Sequence, residues 1–180
     1  GRSARRLVAE RRHDSMRARA ASIVGAHVRG LNSRREAARL RSMNDSYEGP
    51  RDALGRPHGY GRAIYDEGSS YEGHFVKGLR HGTGVLTSPD GDKFDGAWVL
   101  DVKSGHGKYT FADGDTYEGD YADDQFDGRG VYTYSDGAQY DGEWRQGERH
   151  GKGFYFYPGG RFEVGAYRGG EPHGVAILWN

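Results

Sequence analysis

Apolar and polar residues alternate along most of the chain, in short runs that turn-forming residues interrupt. In residues 71–93, YEGHFVKGLRHGTGVLTSPDGDK, Tyr71 and Phe75 fall on one face of a strand. After a turn around residues 78–82, Leu86 falls on one face of a second strand. The tripeptide PDG then turns the chain into the next stretch. The alternation therefore predicts a β-hairpin.

The hairpin pattern recurs at a fixed step of 23 residues. Pairs of the form Gly-x-Gly mark this step, at Gly59/Gly61, Gly82/Gly84, Gly105/Gly107, Gly128/Gly130 and Gly151/Gly153. A constant period in the range of about 20 to 50 residues is typical of repeat architectures. Glycines in turns can adopt positive φ, and glycines within strands leave bare backbone on which an aromatic ring can lie.

Stacked hairpins predict a meandering antiparallel sheet with one aromatic and one polar face. The aromatic face is expected to hold Tyr71/Phe75, Phe94/Trp98, Tyr117/Tyr121 and Tyr140/Trp144. The opposite positions are mainly charged or small, so we expect that face to be solvated over most of its length.

The final hairpins break this alternation. There the face opposite the aromatic one is predicted to hold Phe154, Phe156, Phe162, Val164, Val175, Ile177 and Trp179. Exposed apolar area costs ~25 cal/mol per Å², and such patches mark interfaces. A strand edge at residues 174–180 would also be open to pairing. We therefore predict a protein interface, with a partner or with a second copy of the chain; the alternative is that the amino-terminal segment folds back over the patch.

Composition divides the chain into two regions. The 180 residues include 31 glycines and no cysteine, and their formal net charge is zero. Residues 1–45 contain 12 Arg and 4 acids, which gives +8, whereas the remainder has 14 bases and 22 acids, which gives −8. All 23 aromatic residues lie in the remainder. No apolar run approaches the ~20 residues of a membrane span.

The repeated unit carries a specific signature. The pattern aromatic-acid-Gly-x-aromatic, then Gly, His-Gly-x-Gly and Asp-Gly, recurs six times across residues 47–180 and resembles the MORN (membrane occupation and recognition nexus) repeat. The resemblance implies a mostly β fold for residues 46–180: an elongated, single-layer antiparallel sheet of six stacked hairpins, the last one incomplete. It also implies a scaffold, because the MORN arrays of junctophilins, lipid kinases and ciliary radial-spoke proteins are attachments that organise or bind other components.

The amino-terminal residues 1–45 are predicted to be an Arg-rich α-helical segment that stops before the first repeat. Part of it is similar to the calmodulin-binding IQ motif, although Gly25 stands where that motif has glutamine. The resemblance implies a calmodulin-like light chain bound by Val24, Val28, Arg29, Gly30, Arg34 and Arg35. The alternative is a basic helix that docks elsewhere, for instance on the acidic surface of tubulin.

Catalytic and cofactor chemistry is not indicated. Equivalent histidines such as His58 and His81 would lie two strands apart, about 9 to 10 Å, which zinc bonds of ~2 Å do not span. The Gly-x-Gly pairs lack the helix of a phosphate-binding loop. The acids form a periodic stripe in which no two differ as an acid/base pair must. We expect no metal, no cofactor and no enzymatic activity.

The combined pattern favours a non-enzymatic scaffold of the ciliary or flagellar axoneme, in the cytoplasmic cytoskeleton, with other axonemal proteins as partners. One alternative is a membrane-contact adaptor that binds phospholipids, which the acidic balance of the repeats disfavours. A second alternative is a calmodulin-linked regulatory subunit. Nothing in the sequence supports binding of nucleic acid.

Overall fold

The computed structural model describes residues 46–179, and its regular elements are β-strands whose hydrogen-bonded order is the chain order. They are β1 (Tyr47–Glu48), β2 (Gly59–Ile64), β3 (Ser70–Val76), β4 (Leu79–Thr87), β5 (Lys93–Val99), β6 (Val102–Thr110), β7 (Thr116–Ala122), β8 (Gln125–Thr133), β9 (Gln139–Arg145), β10 (Glu148–Phe156), β11 (Phe162–Arg168) and β12 (Glu171–Trp179). The mostly β, open antiparallel sheet of hairpins is therefore confirmed. The predicted helical segment lies outside the described residues.

Each hairpin closes through a turn that is tighter than predicted. Between β3 and β4, Lys77 and Gly78 both adopt positive φ, 53° and 87°, as a two-residue type I′ turn requires. The turn predicted at residues 78–82 is therefore wrong in extent, because β4 begins at Leu79. Gly82 instead lies where the register of β3 and β4 shifts, at a β-bulge.

The first unit departs from this plan. Residues 49–58 separate β1 from β2, where later hairpins have two residues. Asp52 organises this loop: its Oδ1 accepts hydrogen bonds from the backbone N–H groups of Leu54 at 2.9 Å and Arg56 at 3.0 Å. The side chain of Arg56 also donates to Asp52, and this lowers the pKa of the Asp52 carboxyl.

Packing divides the described chain into two units, residues 46–118 and residues 119–179. In residues 46–118 the predicted aromatic face is confirmed as the core: Tyr71, Phe75, Phe94 and Trp98 are at most 1% exposed. Their rings meet edge to face, with Tyr71 5.0 Å from Phe75 and 5.6 Å from Trp98 between centroids. Such T-shaped contacts add ~0.5–1.5 kcal/mol each beyond area burial.

Residues 119–179 repeat this arrangement. Tyr140 packs edge to face on Trp144 at 5.2 Å and on Tyr167 at 5.0 Å. Trp144 is also in edge contact with Phe126, 5.4 Å away. A ring ladder thus forms the core of this unit as well, on one face of the strands.

Glycine within the strands makes room for these rings. The Tyr140 ring lies over the backbone of β9 and β10, where a Cβ on Gly142 would come 2.5 Å from the Tyr140 hydroxyl oxygen. A Cβ on Gly153 would meet the ring at the same distance. The Tyr140 hydroxyl donates to the carbonyl oxygen of Glu143 at 3.1 Å. The predicted seating of rings on glycine backbone is confirmed, and it ties adjacent strands together.

Candidate functional site

Six of the seven residues of the predicted interface meet on one face of β10, β11 and β12. They are cross-strand neighbours in two rows, Phe154–Val164–Ile177 and Phe156–Phe162–Trp179, and together they are called the C-terminal patch below. Residues directly opposite on neighbouring strands point to the same face, so these pairings place all six side chains together.

The aromatic members of the patch are in ring contact and open to solvent. Phe162 and Trp179 stack with centroids 6.2 Å apart, and Phe156 lies 5.7 Å from Phe162. Phe154 and Phe156 stack at 6.3 Å. Trp179 is 54% exposed and Phe154 is 43% exposed, although the rings cover one another in part. The patch is thus a continuous apolar surface.

The same positions in earlier repeats are mostly polar or small. One period before Phe162 and Val164 stand Gln139 and Asp141, and Asp141 pairs directly with Phe154. The residues that precede Phe156 at steps of 23 are Thr133, Thr110, Thr87 and Ile64. The apolar face is therefore a property of the last strands and not of the repeat.

Val175, the seventh predicted residue, stands apart. The register of β11 and β12 shifts between Val164 and Ala166, so Val175 lies in a bulge with no directly opposed residue on β11. It is 90% exposed. The structure places it beside the patch but does not integrate it into either row.

Glu163 explains why the rows form. It takes the aromatic position of the repeat and pairs with Tyr155 and Leu178 on the other face. Burial raises the pKa of Tyr157, and the negative charge of the neighbouring Glu163 raises it further. The one-place shift puts Phe162 into the patch, as the sequence predicted; Leu178, half exposed on the other face, was missed.

Acidic residues border the patch on the side of β9. Asp141 is exposed directly across from Phe154. Glu143, one residue pair further along β9, accepts a hydrogen bond from the backbone N–H of Lys152 at 3.1 Å. Lys152 lies on the same face as Phe154, so the rim carries both signs.

Sequence reasoning missed a set of buried cations. Arg80, Lys103 and Arg149 occupy the second position of β4, β6 and β10, and each is at most 9% exposed. The Arg149 guanidinium carbon lies 4.9 Å from the Tyr167 ring centroid, and its Nη2 donates to the carbonyl oxygen of Gly170 at 2.9 Å. The recurrence of Arg or Lys at positions 80, 103 and 149, with Phe126 at the one intervening repeat position, was the available signal. Arg80 and Arg149 thus hold their hairpins to the turn of the next one, whereas Lys103 lies over the rings of Phe94 and Tyr109.

The described residues offer no competing chemical site. A groove beside β8 and β9 contains carboxylates, but they are already hydrogen-bonded to the backbone. Asp120 accepts a hydrogen bond from the backbone N–H of Arg129 at 3.2 Å, and Asp127 accepts one from the backbone N–H of Gln146 at 3.1 Å. Within residues 46–179, no group of three or more His, Cys, Asp or Glu could hold a metal ion. The same residues include no helix long and apolar enough to cross a membrane.

The other predicted site lies outside the described residues. Val24, Val28, Arg29, Gly30, Arg34 and Arg35 all precede residue 46. Binding of a calmodulin-like protein by them therefore stays a prediction.

Comparison with known proteins and protein families identifies the family of this chain. Among curated proteins, none matches the chain. Among solved structures, the chain is similar to the TCP domain of SAS-4 (dCPAP) from Drosophila melanogaster, determined in complex with a proline-rich motif of Ana2 (dSTIL). The two are 13% identical, with a TM-score of 0.41 over 66% of this chain and 69% of that one.

The model of the MORN repeat matches residues 54–70, 71–93, 94–116, 117–139 and 140–160, more than half of the chain. Five repeats are matched where the sequence predicted six; the match ends at residue 160, before Phe162 and Glu163, where the sequence departs from the repeat pattern. Arrays of this repeat are scaffolds that bind proteins or membranes, and the chain belongs to the MORN-repeat family.

Proposed function

We propose that this protein is a non-enzymatic scaffold that assembles with other proteins through the C-terminal patch. The observation that carries the proposal is the replacement of polar residues by a continuous apolar face on β10–β12. From the exposed fractions of Phe154, Phe156, Ile177 and Trp179 and areas of ~150–250 Å² per large side chain, the patch offers roughly 400 Å². A standard interface buries about 800 Å² per partner, so the polar rim must also take part.

The proposed setting is the axoneme of a cilium or flagellum, in the cytoplasmic cytoskeleton, with other axonemal proteins as partners. Support comes from the combination of a MORN array with an IQ-like sequence, which is similar to that of radial-spoke proteins. Localisation of the tagged chain in ciliated cells tests this part. Staining confined to membranes away from the axoneme would contradict it.

The assembly role is tested with a Phe156→Asp/Ile177→Asp double variant in the full chain. Two buried carboxylates in a desolvated interface cost far more than the contacts they replace, so we expect co-purification of partners to fall at least tenfold. The matched control is Tyr60→Asp/Ile64→Asp. Ile64 occupies the repeat position of Phe156. Tyr60 is 55% exposed and Ile64 is 45% exposed, on a face that is mostly polar.

The control variant should retain its partners. If the patch variant also retains them while remaining soluble and monodisperse, the patch is not the assembly surface. Flotation with phosphoinositide vesicles examines the membrane-contact alternative: vesicle binding that survives the patch variant would favour a lipid adaptor over a protein scaffold. Retention on calmodulin, with calcium and with chelator, examines the regulatory-subunit alternative.

A further inference from the structure

We propose that the C-terminal patch binds a second copy of this chain, through a strip of aliphatic side chains at the hairpin ends of β3–β6. The strip, called the aliphatic strip below, consists of Val76, Leu79, Val99, Leu100 and Val102. The inference rests on the proposed function, because it treats the patch as an assembly surface. It adds a surface that the proposed function does not use, and it names a partner of the patch.

The aliphatic strip lies in the packing unit of residues 46–118. Two cross-strand pairs form most of it, Val76 with Leu79 at the end of β3–β4 and Val99 with Val102 at the end of β5–β6. Both pairs point away from the ring ladder, and the two hairpins are neighbours because β4 pairs with β5. Val99 is 49% exposed and the other three are half-buried. The strip is therefore a second apolar surface on the mostly polar face.

Leu100 extends the strip at a strained turn. It is 52% exposed and adopts a φ of 49°, in the left-handed region that a bulky side chain disfavours. The neighbouring Asp101 donates its backbone N–H to the carbonyl oxygen of Arg80 at 2.8 Å, which holds this turn against β4. An exposed aliphatic side chain on strained backbone points to a binding role. The same position in the other two-residue turns holds a polar residue or glycine, namely Lys77, Asp123, Gln146 and Gly169.

Later repeats lack the strip. At steps of 23 residues, the position shared by Val76 and Val99 is taken by Ala122, Arg145 and Arg168. The position shared by Leu79 and Val102 is taken by Gln125, Glu148 and Glu171. The strip thus belongs to early hairpins and the C-terminal patch to the last ones. Two different apolar surfaces on one chain suit a heterologous contact between copies, which forms rings or open chains.

Charge at the rims favours the strip on the patch over either surface on its own kind. Asp141, Glu143 and Lys152 border the patch, a net charge of −1. At the strip Lys77 is exposed, whereas the carboxylate of Asp101 already forms an ion pair of 2.8 Å. A strip on a patch therefore brings opposite charges together, and two patches or two strips bring like charges together.

The size of the two surfaces predicts a weak contact. The strip has fewer and smaller side chains than the patch, which offers roughly 400 Å². Together they fall short of a standard interface, which buries about 1,600 Å² in total, and contacts below about 1,200 Å² are typical of transient complexes. We therefore expect self-association that rises with protein concentration, in the micromolar range.

Sedimentation velocity of the full chain tests the contact, with one variant for each surface. The strip variant is Val99→Asp/Leu100→Asn, and the patch variant is Phe156→Asp/Ile177→Asp. The wild type should form dimers or larger species, and each variant should weaken this association at least tenfold. The control Tyr60→Asp/Ile64→Asp removes two exposed apolar residues from the same packing unit as the strip and should associate like the wild type.

Leu100→Asn alone separates binding from folding. Asn tolerates a positive φ better than Leu, so the variant should keep or raise the thermal midpoint while it weakens association. Unchanged association of this variant and of the strip variant would overturn the proposal.

A mixture of the strip and patch variants gives the decisive result. The strip variant keeps its patch and the patch variant keeps its strip, so an equimolar mixture should form a complex of two chains and nothing larger. Absence of this complex would overturn the proposal. Association of either variant alone at the wild-type level would also overturn it, because the contact would then join like surfaces.

The two proposals fail separately. If the wild type stays monomeric at every concentration while the patch variant still loses its cellular partners, the patch binds other proteins and this inference fails. If the mixture forms the two-chain complex while the patch variant keeps its cellular partners, the chain assembles with itself, and the proposed attachment of other proteins through the patch fails instead.

Discussion

The indole Nε1 of Trp144 donates a hydrogen bond to the carbonyl oxygen of Gly130, 2.9 Å away on the neighbouring strand. Two repeats earlier, Trp98 makes the same bond to Gly84 at 3.0 Å. Each indole is thereby tied to the neighbouring strand while its ring packs edge to face against the ladder.

Replacement of Trp144 by Ala should therefore destabilise the array by about 3–5 kcal/mol, since it removes a buried ring and leaves a cavity. Trp179→Ala is the control and should change stability little, because Trp179 is 54% exposed. Repeats contact mainly their neighbours, so hydrogen exchange should show the loss of protection centred on β8–β10. Equal loss in every strand would contradict the nearest-neighbour picture.

Gly142→Ala and Gly165→Ala should differ sharply although they are equivalent positions in successive repeats. A Cβ at Gly142 would come 2.5 Å from the Tyr140 hydroxyl oxygen, whereas a Cβ at Gly165 has its closest neighbour, Ala176, at 3.4 Å. We expect Gly142→Ala to cost about 1–3 kcal/mol through overpacking. Gly165→Ala should be neutral or stabilising by about 0.4–1 kcal/mol. Denaturant unfolding compares the two, and equal effects would show that the ring does not require the glycine.

Asp101→Asn should destabilise the packing unit of residues 46–118 by about 1–3 kcal/mol, because it removes the carboxylate that Arg80 contacts. The Arg80 Nε lies 2.8 Å from the Asp101 Oδ1, and its guanidinium carbon lies 4.0 Å from the Trp98 ring centroid. Asn tolerates the positive φ of 76° at this turn, so the substitution removes the negative charge without straining the backbone.

The control for Asp101 is Lys108→Gln. Lys108 and Glu118 form an exposed pair at 3.3 Å, with both side chains more than half exposed. Such a pair contributes under about 1 kcal/mol. Thermal unfolding at low and high salt separates the two cases; similar losses for both variants would mean that the Arg80 pair is no stronger than a surface pair.

Alkaline pH should unfold the protein through its buried tyrosines. Burial raises the pKa of Tyr167 from 10.0 to about 12, and burial also raises the pKa values of Tyr71 and Tyr140. Below pH 10 both states carry the phenol proton, so the full stability is present. Between pH 10 and about 12 only the folded state retains it, and stability falls by ~1.36 kcal/mol per pH unit for each such tyrosine.

Tyr167→Phe tests this linkage. The variant removes one titrating phenol, so the decline in unfolding free energy between pH 10 and about 12 should become shallower by ~1.36 kcal/mol per pH unit. Phenolate absorbance, followed together with circular dichroism, shows whether ionisation accompanies unfolding. Ionisation of all tyrosines before any loss of structure would contradict the prediction.

The sequence was sufficient for the hairpins, the aromatic face and the shared face of six of the seven residues predicted for the interface, but not for the bulge that sets Val175 apart. Strict alternation fixes which face a side chain occupies, and the 23-residue period fixes which side chains are equivalent. Phe162 and Val164 were placed correctly for this reason, since a one-residue shift moves a side chain to the opposite face.

Other features depend on geometry that alternation does not encode. The turn at Lys77 and Gly78 is set by backbone twist, and glycine at position 82 serves a bulge that resembles a turn in sequence. Burial of Arg80 and Arg149 runs against the usual preference of charged residues for water. Only the rings around them and the acceptors of the adjacent turn make those positions favourable.

The seating of Tyr140 on both Gly142 and Gly153 has a consequence for how such a chain can change in length. A single ring lies over glycines on two strands, so an insertion or deletion within either strand would put a side chain beneath a ring and a ring above no glycine, whereas the long first turn at residues 49–58 shows that the turns tolerate added residues. Changes by one complete period keep every ring on its glycines. Length changes within the strands among alleles and descendants of this gene segment should therefore occur in steps of 23 residues, while changes of other lengths are confined to turns and point substitutions accumulate on the solvated face.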